Sequence, residues 1–105
     1  MESELEFFMK WKSIVRDVAR VIKTIYPDAE VYVVGGAAED RLTILSDVDI
    51  LVVLNRGARE KVEILANIWR GLEEEDIPLY YPIDIHIATS QEELKRYRKK
   101  IKVDI

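Results

Sequence analysis

The chain has no cysteine, which removes disulfides, zinc–thiolate centres and thiol nucleophiles from consideration. It has one histidine, His86, too few for a histidine-based zinc cluster. The only side-chain amides are Asn55, Asn67 and Gln91, and charged residues reach 34%, a balance that leans toward a heat-tolerant source. No apolar run is long enough to cross a bilayer, and the acidic start Met1-Glu2-Ser3-Glu4 lacks the basic opening of a signal peptide. These absences lead to the expectation of a soluble cytoplasmic protein. With 105 residues, 49% of them hydrophobic, the expectation is a single folded domain over 1–105.

The net charge of −4 is unevenly distributed. Residues 95–102 (Lys-Arg-Tyr-Arg-Lys-Lys-Ile-Lys) carry six of the sixteen basic residues and no acid. The remaining body is acidic and does not read as a general nucleic-acid binder. The basic run reads as a solvated helix end, with nucleic-acid contact as the weaker alternative.

Hydrophobic periodicity organises the chain. Ser3 and Glu6 predict a capping box opening a first helix, along which Phe8, Trp11, Val15, Val18, Ile22 and Ile25 recur at helical spacing before Pro27. Residues 30–34 predict a strand, 37–45 a loop or short helix, and 47–54 a second strand. A helix is expected over about 58–75, followed by a strand in which Ile83, Ile85 and Ile87 alternate with Asp84, His86 and Ala88. Ser90 and Glu93 predict a second capping box and a short basic helix, with a terminal strand at 103–105. The order α-β-β-α-β-α implies an α/β fold, a small mixed sheet packed against helices.

Asp47-Val48-Asp49 is the most informative stretch. It opens the apolar run Ile50–Leu54 and follows the pair Gly35-Gly36 by ten residues. On a strand, Asp47 and Asp49 project to one side. Such close carboxylates repel unless a cation neutralises them, and Mg2+ is the expected cation because it takes oxygen ligands beside substrate phosphates. If the Asp84 strand lies next to the Asp47–Asp49 strand, three carboxylates converge, enough for two ions. The bland alternative is a solvated strand end. Gly35-Gly36 ends the run Val31–Val34 and suits close approach to a phosphate. His86 shares the face of Asp84, but a lone strand histidine reads as a surface or hydrogen-bonded residue. There is no Walker A or G-x-G-x-x-G sequence.

Three segments, Val33-Val34-Gly35-Gly36, Ser46-Asp47-Val48-Asp49-Ile50 and Ile83-Asp84-Ile85, resemble the pattern of the minimal nucleotidyltransferases in the DNA polymerase β-like superfamily. The resemblance spans about Val31 to Ala88. It implies a nucleotidyltransferase palm that moves NMP from an NTP, with ATP the expected one, to a protein or RNA acceptor. Asp47, Asp49 and Asp84 would be catalytic and hold two Mg2+ ions, while Gly35, Gly36 and Ser46 would contact the nucleotide. It further implies a helical HEPN-domain partner, as the antitoxin half of a toxin–antitoxin pair, while Phe7, Phe8 and Trp11 near the start of the first helix suggest an apolar surface for that partner or for self-association. Two features depart from the family pattern. Gly36 replaces the serine of many members, and Ala37-Ala38-Glu39-Asp40 replaces an arginine-rich loop. These leave a second reading open, a non-catalytic binding module that retains the fold.

Overall fold

A computed structural model describes residues 2–43, 46–78 and 80–105, with residues 2–5 as backbone only. Helix α1 (Glu2–Ile25) leads into strand β1 (Glu30–Val34), and the short helix α2 (Gly35–Ala38) follows at once. After a loop comes β2 (Val48–Val53), then a 3-10 turn (Ala58–Glu60) and helix α3 (Lys61–Glu74). Strand β3 (Ile83–Ala88), helix α4 (Gln91–Lys95) and strand β4 (Lys100–Lys102) complete the chain.

The strands form one mixed sheet of order β3-β2-β1-β4. β1 is antiparallel to β2 and β4, whereas β2 and β3 run parallel with α3 as their crossover. The strand period of two divides the sheet into unlike faces. Val31, Val33, Val48, Ile50, Val52 and Ile85 meet the buried residues of α1 and α3 in the main core. Val34, Leu51, Val53 and Ala88 point the other way, where Leu94 of α4 and Tyr97 cover only part of the surface. The expected sheet packed against helices is observed, with α1 and α3 on one face, while the short α4 and Tyr97 bury Val34, Leu51, Val53 and Ala88 on the other and leave its Asp84 edge open.

Gly71 lets α3 lie close to α1. A Cβ there would approach Ile25 Cδ1 to 2.6 Å and Val21 Cγ1 to 3.1 Å. At the start of α1 the structure corrects the expected stripe. Phe7 is buried, at 1% exposure, and Phe8 faces outward at 38%. The reason is the neighbour rather than the helical wheel. The segment after α3 brings the Tyr81 ring to 5.3 Å from the Phe7 ring, and the Tyr81 hydroxyl donates to Glu6 Oε1 at 3.1 Å. α1 already includes Glu2, so Ser3 lies inside the helix rather than at its cap, and its side chain is outside the described residues.

Three further expectations change near the C-terminus. Ser90 Oγ accepts from Glu93 N–H, but the Glu93 carboxylate returns to Thr89 N–H and Thr89 Oγ1 rather than to Ser90 N–H, so only half of the capping box forms. α4 ends at Lys95, and most of the basic run lies beyond it instead of forming a helix end. The last strand is Lys100–Lys102 rather than 103–105, because pairing with Tyr32–Val34 sets its register. Val103 N–H still donates to Val31 O, extending the contact by one bond. Among the described residues, no helix is long and apolar enough to cross a membrane.

Candidate metal and nucleotide site

Strand register builds the site. Asp49 is paired with Val34 of β1 on one side and with Asp84 of β3 on the other. Val34 in turn is paired with Lys100 of β4. Asp84, Asp49, Val34 and Lys100 thus form one row across the sheet, on the face opposite α1 and α3. Two residues along β3, His86 returns to that face by strand alternation.

Ligand atoms of Asp49, Asp84 and His86 all lie within 4.8 Å of one another. His86 Nε2 is 3.2 Å from Asp49 Oδ1 and 3.4 Å from Asp84 Oδ2. Asp84 is exposed, and Asp49 and His86 are half-buried. Two carboxylates and an imidazole converging on an accessible face are a donor set suited to a divalent ion. The backbone leaves room for this arrangement. Gly35 has φ +68°, and a Cβ there would fall inside 3.0 Å of Asp49 Oδ2. Only glycine accommodates both that torsion and that carboxylate.

The other residues singled out in the sequence take different positions. β2 begins at Val48, so Asp47 lies in the preceding loop, exposed, and is not one of the three clustered residues. Asp49 and Asp84 come together as paired strand neighbours. Gly36 is beside Gly35 in α2, with Arg41 backbone atoms 3.9 Å from where its Cβ would be. Ser46 faces Thr43 instead of the sheet: its Oγ accepts from Thr43 N–H at 3.1 Å and lies 2.9 Å from Thr43 Oγ1. His86, expected to be a surface or hydrogen-bonded residue, is half-buried and within hydrogen-bond distance of Asp49 Oδ1. Its shared parity with Asp84 was the available signal, but the parallel pairing that brings both to Asp49 was not legible.

The acidic loop is neutralised locally. Glu39, at the end of α2, is 3.2 Å from the Arg41 guanidinium and 3.4 Å from that of Arg98. Its side chain is only 19% exposed, whereas the two arginines are largely in solvent. The basic run thereby reaches the Gly35-Gly36 turn. A separate hollow lies between α1 and β4, lined by Trp11, Val15, Val33, Ile101 and Val103, on the helix-covered side of the sheet. It is remote in facing from the carboxylates.

Residues 15–105 match the nucleotidyltransferase domain family. The chain belongs to that family. A crystal structure from Sulfolobus solfataricus, provisionally described as a nucleotidyltransferase, superposes with a TM-score of 0.68 at 17% identity, covering 95% of this chain and 85% of that one. A second provisionally described nucleotidyltransferase gives 0.60 at 24% identity, covering 84% and 95% respectively. At these identities the two structures establish a shared fold. No curated protein matches the chain in sequence.

Proposed function

We propose that this domain is a metal-dependent nucleotidyltransferase that moves NMP from an NTP, ATP being the expected one, to a hydroxyl on another macromolecule. The observation that carries the reading is the convergence of Asp49, Asp84 and His86 donors beside the Gly35-Gly36 turn, in a chain of this family. Asp49 and Asp84 would hold the divalent ion, and Asp47, one residue before β2, would join them from its loop. Such an ion supplies charge neutralisation at the phosphates and lowers the pKa of the attacking hydroxyl.

The chain's own groups would do the positioning. Gly35 and Gly36 let backbone approach the phosphates, and Ser46 orders the turn that leads to Asp47. Arg41 and Arg98 offer guanidiniums on the phosphate side once they part from Glu39. In the reaction the acceptor oxygen bonds to the α-phosphorus while the bond to the β-phosphate bridging oxygen breaks. Pyrophosphate leaves, and the hydroxyl proton passes to a carboxylate or to solvent. Most of the rate gain would come from alignment and electrostatic stabilisation.

The acceptor suggested by the resemblance is a HEPN-type partner protein, with RNA as the alternative. In that pairing the chain would act as an antitoxin. A non-catalytic binding role is favoured by one observation, the half-buried Glu39 carboxylate that engages both Arg41 and Arg98 just after the Gly35-Gly36 turn, where it would oppose a bound triphosphate.

The test is incubation with labelled NTP, a divalent metal and a HEPN-type partner encoded beside it. Label on the partner with wild-type protein, lost in Asp84→Asn with partner binding kept, supports the enzyme. Equal neutralisation of the partner by both proteins, with no label transferred, assigns the binding role instead.

A further inference from the structure

Carboxylates alone would fit Mg2+, but the structure adds a nitrogen donor. His86 is about equally far from the two carboxylates, and its Nε2 rather than Nδ1 faces them. Donor atoms on adjacent corners of a six-coordinate ion with bonds of about 2.1 Å lie about 3.0 Å apart. Around a tetrahedral ion with bonds of about 2.0 Å they lie about 3.3 Å apart. The 3.2 and 3.4 Å separations of His86 Nε2 from the two carboxylates match that edge length, and the three donors lie within 4.8 Å of one another, so one ion could bind all three once the two carboxylates close around it.

We infer that His86 is a direct metal ligand through Nε2, making the site selective for ions that accept nitrogen, such as Co2+, Mn2+ or Zn2+, over Mg2+. This inference rests on the metal-dependent reading above and refines it. Mg2+ favours oxygen ligands and sheds its water reluctantly, whereas imidazole suits the later first-row metals. The competing role for His86 is a hydrogen-bond partner that orients Asp49 from outside the coordination shell. Loss of such a partner also weakens metal binding, so affinity alone cannot separate the two roles.

Spectroscopy on the unmutated protein separates them. His86 is the only histidine, so any imidazole signal from untagged protein belongs to it. Protein labelled with 15N-histidine is loaded with Mn2+ and examined by pulsed electron paramagnetic resonance. A 15N hyperfine coupling of directly bound nitrogen is expected. Co2+ should also bind, by calorimetry, in a large excess of Mg2+, and His86→Ala should weaken Co2+ by about tenfold or more and Mg2+ by distinctly less. Bound Mn2+ without the nitrogen coupling, or Mg2+ competing on equal terms with Co2+, overturns the inference and leaves the metal-dependent reading standing. If none of the three ions binds wild-type protein, that reading fails together with the inference. His86 is half-exposed, and a melting curve of the metal-free variant checks that it folds.

Discussion

Gly35 is the residue that makes room for the carboxylate of Asp49. The two are near neighbours because Asp49 pairs with Val34, the residue before Gly35. A side chain at Gly35 would have to displace the Asp49 carboxylate and tolerate φ +68°. Gly35→Ala should therefore lose about 1–3 kcal/mol of stability by urea denaturation and weaken divalent-ion binding as well. Gly36→Ser, which restores the hydroxyl found in many family members, has ordinary space around its Cβ and should melt within a degree or so of wild type. Equal destabilisation by both substitutions would count against this division of roles.

Metal should stabilise the fold by an amount that rises with the logarithm of its concentration above Kd, because ligand bound only to the native state adds RT ln(1 + [L]/Kd), about 2.7 kcal/mol at a hundredfold excess over Kd. Differential scanning fluorimetry with Mn2+ should show a rise in Tm that Asp49→Asn largely removes. An undiminished rise in that variant would place the ion elsewhere.

Glu39 holds two guanidiniums beside the turn, so Glu39→Gln should release Arg41 and Arg98 for phosphate. NTP binding, followed by calorimetry, should tighten by severalfold, and the gain should shrink with added salt. Unchanged or weaker NTP binding in Glu39→Gln would show that the arginines serve the loop and not the nucleotide.

Acid sensitivity should have a defined source. Lys61 Nζ donates to Glu93 Oε2 at 2.6 Å, tying the start of α3 to α4, and this bond chiefly holds the Glu93 carboxyl below its ordinary pKa. A carboxylate depressed in the folded state contributes stability fully above its unfolded pKa and loses it as pH falls through the folded value. Glu93→Gln should cost about 0.5–1 kcal/mol near neutral pH, with the difference from wild type vanishing in acid below the glutamate range. A difference that persists there would point to packing instead of charge. The exposed Arg56–Asp28 pair lowers the Asp28 carboxyl in the same sense.

Phe7 and Phe8 offer a direct check on the start of α1. Phe7→Ala opens a void against Tyr81 and should cost about 3 kcal/mol, whereas Phe8→Ala should be nearly neutral. The reverse order would restore the stripe expected from helical spacing alone.

Local signals in the sequence determined most of the elements. Richness in β-branched residues marked Glu30–Val34 and alternation marked Ile83–Ala88, both at their observed bounds, since extended backbone suits branched side chains and sends successive residues to opposite faces. The Gly-Gly turn and the Asp47-Val48-Asp49 stretch mark the candidate site within the sequence itself, because a glycine pair and clustered carboxylates are chemically demanding wherever they occur. Tertiary structure decided the remainder. Which carboxylates meet depends on strand order and register, and these arise from contacts between residues far apart in the chain. Parallel pairing of β2 with β3 set Asp84 opposite Asp49 and brought His86 to both. Likewise, Tyr81 chose Phe7 over Phe8, and pairing with β1 drew the basic run out of a helix and into β4, carrying Arg98 to Glu39. Periodicity states which face a residue occupies; only the packed chain states what that face meets.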